Sequence, residues 1–531
     1  VPAARADPTM SRWWLTATLL LVILVPGRLD ALDVEPWPDR FVFQRVDDRA
    51  DITIRGTTET ATTIEARLLT AADGTPIGPW RAVARPAAAG PWHGQLDDVP
   101  SGGWYRLELR TVEASANAEN RVETPRFGVG IVIAMIGQSN MVKMFTEIAF
   151  PGDQDRGTVE KASPHPLTVC LGYRRPRLAA DRIHGYNRGE NYLQSPTWGD
   201  VTGVGAIRFA NRLATTLDLP ILLLDYAIDG TSIRQWTDLS WPRWQRFATA
   251  VEEVGDLEAV FWHQGFNDAR AGMSKAEYMA ALDRLDAQIL ALLPEARRPN
   301  MFIAVQNRGD YGYRTLYDDG YDTVRHAQLA WPARHRHAFH AGTTVDLDLA
   351  TRDFHRGNGH FPASQYEILA DRYARALFHA LTIPGWEHGV EGGYVTHAEI
   401  QGETILVTVG HQHGTRLRLR DPAADVEGFV IHEGDRPLRL GRGLGTARIV
   451  GANEVRLTID PAHVTEVARA ARAGTLRLTY LAGQNPFAQQ NSELGRRQTG
   501  NVLYDDFAYA PGRDGLPINH TPTPIVIEPS P

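Results

Sequence analysis

A single cysteine, Cys170, occurs among 531 residues, so the chain can form no internal disulfide and no cysteine-based zinc cluster. An excess of positive charge is also missing: 55 Lys and Arg against 63 Asp and Glu leave a formal net charge of −8. A mildly acidic chain offers no broad phosphate-binding surface, which argues against nucleic acid as a partner. Beyond residue 31 there is no second long apolar run, so the body of the chain reads as soluble. No repeat at a fixed period and no extended low-complexity block occurs. What is present is core material: 43% hydrophobic and 22% charged residues, which excludes a mainly disordered protein. At about 150 residues per domain the length suggests three or four domains.

Residues 11–31 read SRWWLTATLLLVILVPGRLDA. Arg12 is a positive flank, Trp13 to Val25 an apolar core, Pro26-Gly27 a break, and Leu29-Asp30-Ala31 a passable cleavage site. This is the layout of a secretory signal, with Met10 fitting as a start. The apolar stretch is short against the roughly 20 residues of a spanning helix, and an uncleaved N-terminal anchor is the alternative. The expectation is an exported protein, periplasmic or secreted, stabilised by packing rather than disulfides.

Three regions follow. Residues 33–127 look all-β: FVFQRV, ADITIRGT, TTIEARLL and GGWYRLELRTVE alternate apolar and polar residues. The clusters AADGTPIGP, ARPAAAGPW and DDVPSGG between them read as turns, giving a small N-terminal β-sandwich. In 128–385 the pattern changes. FGVGIVIAMIG, LPILLLDYAI, LEAVFWHQG and MFIAVQNR fit strands buried on both faces, and AIRFANRLATTL, RFATAVEEV, Lys275 to Leu293 and Ala363 to Leu381 fit helices. Strands alternating with helices predict an α/β unit with a parallel sheet. Residues 386–531 return to β patterning as a C-terminal β domain, with TILVTVGH, GFVIHE, EVRLTID and TLRLTYL among its strands.

In an open α/β sheet ligands bind outside the carboxyl ends of the strands, and four segments fall there. Gly137-Gln138-Ser139-Asn140-Met141 follows the first apolar run; a serine at a tight strand-to-helix turn can present its hydroxyl to a crevice beside backbone N–H donors. An ordinary Ser N-cap has the same local sequence. Asp229-Gly230-Thr231-Ser232, with Trp236, offers an unobstructed glycine N–H or a plain turn. Trp262-His263-Gln264-Gly265-Phe266-Asn267-Asp268 offers an asparagine amide for an oxyanion, or a polar turn in which Asp268 caps a helix. Gly359-His360-Phe361-Pro362 precedes the closing helix, and a histidine there suits a general base, with Asp353 seven residues earlier to orient it. Gln138, Trp236 and His263 are candidates for substrate contact, as are Arg174, Arg175, Tyr186, Tyr192 and Trp198 in the long connection over 145–200. His335, His337 and His340 lie in ARHRHAFHA, but interleaved arginines and the lack of a carboxylate pattern speak against a metal site.

GQSNM, DGTSIRQW, WHQGFND and GHFPASQYEILADRYARAL, taken together, resemble the SGNH hydrolase superfamily, and more narrowly its branch of sialate O-acetylesterases and related carbohydrate acetylesterases. The resemblance spans about Phe127–Leu381. It implies a flavodoxin-like three-layer α/β core with flanking β-sandwich-like domains, and a serine esterase that needs neither metal nor cofactor. It makes Ser139 the nucleophile and His360 the base. Ser139, Gly230 and Asn267 would supply the oxyanion hole. The family's acid usually stands three residues before the histidine, where this chain has Gly357; Asp353 is the first substitute, Asp348 the second, and a Ser–His dyad leaning on a backbone carbonyl the third. Block II has Asp229 where relatives often carry a second glycine, and block III has Phe266 where they often carry Glu. The expected substrate is an acetylated carbohydrate. The alternatives are an O-acetyltransferase using the same acyl-serine, or a carbohydrate-binding protein with a decayed site.

Overall fold

The computed structural model describes residues 32–112, 121–145, 163–172, 196–294, 297–309, 318–349, 359–433, 436–439, 444–486, 500–521 and 524–529. The expected secretory segment, Asp353, and the rim residues Arg174, Arg175, Tyr186 and Tyr192 lie outside them. The molecule is mixed α/β with several β-sheets.

The first region is built from β1 (Asp33–Val34), β2 (Phe41–Gln44), β3 (Arg49–Thr58), β4 (Thr63–Thr70), β5 (Pro76–Ala84), β6 (Gly90–Pro100), β7 (Gly102–Val112) and β8 (Arg121–Glu123). Strict alternation in β3 turns Ala50, Ile52 and Ile54 inward, as the period-2 pattern requires. Two of the expected turn clusters run into strands. β5 carries Pro76, Gly78 and Pro79, but it pairs with β4 alone and is mostly exposed, so proline there costs no ladder bond on a second side. β6 runs through Asp97–Pro100, burying Trp92, Leu96 and Val99 between exposed polar residues.

The strand β9 (Phe127–Gly137) is buried along all 11 residues and belongs to two layers of pairing. Its first part runs parallel to β2, with Phe41 opposite Phe127, and antiparallel to β7, with Gly102 opposite Val129. Its second part enters the parallel sheet. The expected boundary at 127/128 therefore falls inside one continuous strand.

The central region continues as α1 (Ser139–Met144), β10 (Thr168–Gly172), β11 (Thr197–Gly199), α2 (Val204–Leu217), β12 (Ile221–Asp225), α3 (Ile233–Trp236), α4 (Pro242–Val254), β13 (Ala259–His263), α5 (Phe266–Arg270), α6 (Lys275–Leu290), β14 (Asn300–Val305), α7 (Asp318–Ala330), β15 (Ala338–Thr343) and the closing helix Ala363–Ala380. The sheet order is β11-β10-β12-β9-β13-β14-β15, parallel throughout except for β11. Alternate residues face opposite ways. Val132, Ala134 and Ile136 pack with α3, α4, α6 and α7, whereas Ile131, Ile133 and Met135 pack with α1, α2 and the closing helix. β12 and β13 flank β9 on opposite sides, so the loops after these three strands converge at one place.

Neither α7 nor β15 stood out in the sequence. Gly320 breaks the helical pattern of α7, yet a Cβ there would lie 2.0 Å from the Ala269 carbonyl oxygen, so glycine is what lets α7 pack on α5. The histidines of the ARHRHAFHA stretch have structural partners: His335 stacks on Trp331 at 4.3 Å and His337 Nε2 lies 3.0 Å from Asp286. His340 is half-buried, and desolvation of its ring lowers its pKa.

The last region holds a sheet of Tyr394–Gln401, Thr404–Gly410, Leu444–Ile449, Glu454–Ile459 and Glu528–Pro529, and another of Phe429–Glu433, Arg436–Arg439, Leu476–Tyr480 and Ile525–Val526. The helix Val464–Arg472, not expected from the β patterning, buries Val467, Ala470 and Ala471 against this core. Among the described residues no helix is long and apolar enough to cross a membrane.

Candidate active site

The end of β9 dictates the local geometry. Gly137 has φ 130°, and a Cβ on it would sit 2.3 Å from the His263 carbonyl oxygen, so only glycine fits. The chain then turns. Gln138 N–H donates to His263 O at 2.9 Å, and the Gln138 carbonyl accepts from Met141 and Val142 as α1 begins. Ser139, the first residue of α1, is half-buried between the buried Gln138 and Asn140.

The loop after β12 is pinned to the same glycine: Ile228 N–H donates to Gly137 O at 3.0 Å, and Thr231 Oγ donates to Ile228 O at 2.9 Å. Gly230 is exposed with φ 68°, left-handed backbone that glycine adopts freely. The Asn267 side-chain amide donates to the Gly230 carbonyl, which brings these two predicted oxyanion residues together. Asp268 binds the loops more tightly. Its Oδ2 accepts from Ile233 N–H at 3.0 Å and from the Gln264 amide, while Gln264 also donates to Thr231 O at 2.9 Å. Asp268 is buried, and burial raises its pKa against the opposing pull of these donors.

The fourth segment closes on the first. Asn140 Nδ2 donates to the Gly359 carbonyl at 3.0 Å, and the Asn307 amide donates to the same oxygen. Tyr366 Oη donates to Asn140 Oδ1 at 3.0 Å, which fixes the Asn140 amide. The neighbours of Ser139 and of His360 are thus directly bonded. His360 is half-buried and is followed by the buried Phe361. Asp348, the second acid candidate, is 3.8 Å from Arg420, and its N–H donates to Gln365 Oε1 at 3.3 Å.

The three candidates for substrate contact, Gln138, Trp236 and His263, are all buried. Trp236 is 0% exposed; its indole donates to Thr231 Oγ at 3.0 Å and its ring packs edge-on against Trp262. His263 is 2% exposed, with Nδ1 2.8 Å from Tyr373 Oη, and burial pushes its pKa down to about 3. Gln138 is 5% exposed, and its Oε1 accepts from Gly265 N–H at 3.3 Å. All three brace the loops from beneath, because a side chain at a sheet's strand end points into a helix layer as readily as into the cleft. Trp198 leans on Phe41 at 5.4 Å, and Cys170 lies in β10.

Asn307 and Tyr366 were missed. Asn307 lies two residues past the end of β14, where the rule that singled out the other loops also applied. Among the described residues, no group of three or more His, Cys, Asp or Glu side chains is arranged to hold a metal ion.

Residues 130–379 match the family model of carbohydrate esterases described as sialic acid-specific acetylesterase. The match points to a carbohydrate esterase domain over those residues. The matched stretch contains all four of the segments that form the candidate site. Solved structures similar to it include a protein from Arabidopsis thaliana, 18% identical, covering 47% of this chain and 98% of that one with a TM-score of 0.33. Another is Est24, a carbohydrate acetylesterase from Sinorhizobium meliloti, 13% identical, covering 34% of this chain and 85% of that one with a TM-score of 0.24. No curated protein matches the chain.

Proposed function

We propose that residues 128–385 are an SGNH-type carbohydrate O-acetylesterase that works through an acyl-serine. His360 takes the proton of Ser139 Oγ as that oxygen bonds to the acetyl carbonyl carbon. The oxyanion receives the N–H groups of Ser139 and Gly230 and the Asn267 amide, which has a second N–H beyond the one given to Gly230. The C–O bond to the sugar breaks, and the leaving oxygen takes the proton from His360. Water then attacks the acyl-serine with His360 again as base, releasing acetate and restoring Ser139. Asp353 is the proposed partner of the other ring nitrogen.

The observation that carries this reading is the 3.0 Å bond from Asn140 to Gly359, which joins the residues next to Ser139 and His360. Burial supports it: Ser139, Gly230, Asn267 and His360 reach solvent, while Gln138, Asn140, Gln264, Asp268 and Phe361 around them are buried. The strand order, with β12 and β13 on either side of β9, supports the flavodoxin-like core. Export and an acetylated glycan substrate belong to the same proposal. Acetate release from a panel of acetylated glycans tests it. Ser139→Ala should abolish release, and Asn267→Ala should lower kcat by about 10²–10³, the usual cost of one oxyanion donor. Unchanged turnover by Ser139→Ala refutes it.

A further inference from the structure

Asn307 touches the candidate site from one side and the C-terminal β region from the other. Its amide donates to Gly359 O, one residue before His360. Its own carbonyl accepts from Arg325 Nη2 at 3.2 Å. Arg325 is 0% exposed, and its guanidinium gathers carbonyls from two parts of the chain. Nε donates to Gln306 O at 3.2 Å, and Nη1 donates to Gly483 O at 2.7 Å and to Leu481 O at 3.5 Å. Leu481 and Gly483 directly follow the C-terminal strand Leu476–Tyr480.

Other bonds hold this junction on both sides of Arg325. Gly483 N–H donates to Asp322 Oδ1 and Oδ2 at 2.8 and 2.9 Å. Gly309 N–H donates to Gln484 O at 3.0 Å, and Gln484 Nε2 donates back to Gly309 O at 3.4 Å. His326 Nε2 lies 2.9 Å from Thr521 O. Residues 306–309 are therefore clamped between α7 and the Leu481–Gln484 segment. At the far end there is little slack: a Cβ on Gly359 would lie 2.6 Å from Arg308 O and 2.7 Å from Asn307 Nδ2. A shift of the clamped segment must pass to Gly359, and from there to the next residue.

We propose that the C-terminal β region is part of the catalytic unit, with Arg325 and Asn307 as positioning residues that fix His360 through Gly359. The proposal rests on His360 being the base, as read above. A planar five-donor fork is what reaches carbonyls on both sides of the junction at once; a lysine ammonium cannot span them.

The test uses the full chain with Arg325→Lys, Asn307→Leu, His360→Ala and Ser139→Ala. The readouts are kcat and KM for acetate release, thermal unfolding, and the rate at which a serine-directed phosphonate labels Ser139. A misplacement of about 1 Å costs on the order of 100-fold. Arg325→Lys and Asn307→Leu should each lower kcat by about that factor with KM unchanged, and slow labelling in parallel. Wild-type kcat in both, well below their unfolding temperatures, overturns the proposal, even where the melting temperature drops. Should Arg325→Lys fail to fold, Asn307→Leu decides alone. The two readings fail separately. An inactive His360→Ala beside fully active positioning variants leaves the base assigned and removes only this inference. A fully active His360→Ala removes both.

Discussion

Replacing Asp268 by alanine removes a carboxylate that ties the loop after β12 to the loop after β13. Its Oδ2 holds Ile233 N–H at 3.0 Å and the Gln264 amide. Hydrogen bonds to a charged group contribute about 1.5–3 kcal/mol each, and a buried N–H left unpaired costs about 1–3 kcal/mol. Against this stands the relief of a buried carboxylate whose pKa burial has raised. The net destabilisation should be roughly 3 kcal/mol, because two donors lose their acceptor while one desolvation cost is removed. Asp268→Asn, with its carbonyl oxygen in the place of Oδ2, keeps an acceptor for both donors and loses only the charge, so about 1 kcal/mol is expected. The pH dependence has a fixed sign. A carboxyl with a raised folded pKa favours the folded state below its unfolded pKa, and that advantage fades as pH rises through the folded value. Stability measured as wild type minus Asp268→Asn should therefore fall as pH rises through that window. In the acetate-release assay Asp268→Ala should lose kcat, not KM, because Gly230 and Asn267 lose their common brace. Wild-type kcat in Asp268→Ala would show that the carboxylate does not hold the two loops, and a stability difference that grows with pH would show that its donors outweigh burial in setting its pKa.

Gly137→Ala should fold poorly or be inactive, since its Cβ would meet His263 O at 2.3 Å with φ at 130°; the left-handed strain alone is about 1–3 kcal/mol, readable as a lowered melting temperature. Tyr373→Phe should cost about 1 kcal/mol by removing the bond to His263 Nδ1. It should leave the pH–rate profile unmoved, because burial holds His263 neutral, with a pKa of about 3, across the working range. Arg372→Met should destabilise by about 3–5 kcal/mol in denaturant titration, since it strands the buried Asp346 that Arg372 grips through both oxygens at 2.8 and 2.7 Å. Because Arg372 helps hold Asp346 below the usual carboxylate range, wild type minus Asp346→Asn should be largest at neutral pH and vanish as pH falls through the folded pKa.

The buried parallel strands were legible because each is a short, nearly unbroken apolar run, and the helices between them because their apolar faces recur at helical spacing. α7 was not, because Gly320 reads as punctuation until the Ala269 backbone beside it is seen. β5 was not, because its prolines and glycines look like a turn and only its edge position makes them tolerable. Three of the four site segments could be found from the strand-end rule; Gly359-His360-Phe361-Pro362 was found from its place ahead of the closing helix, because β15 before it did not stand out in the sequence. What that rule cannot supply is direction. Trp236 and His263 lie at the right strand ends but point beneath the loops, and local sequence does not distinguish a side chain facing the cleft from one facing the layer below. Asn307 was hidden for the opposite reason: its role comes from Gly359, 52 residues away.

The braces under the loops share a chemistry that bears on how the site tolerates pH. Gln138, Asn140, Gln264, Asn267 and Asn307 each bond backbone through a side-chain amide. An amide does not titrate, and it pays a far smaller desolvation cost on burial than a charged group does. His263, the imidazole buried among these braces, is held neutral. Asp268 is the exception among the braces, and its two donors join the loops that carry Gly230 and Asn267. A scaffold of this kind would keep its shape through the proton transfers proposed for His360, as acid–base chemistry at a fixed geometry requires. Had the same loops been tied by exposed ion pairs, each turn of pH or salt that moved the base would also have moved the frame holding it.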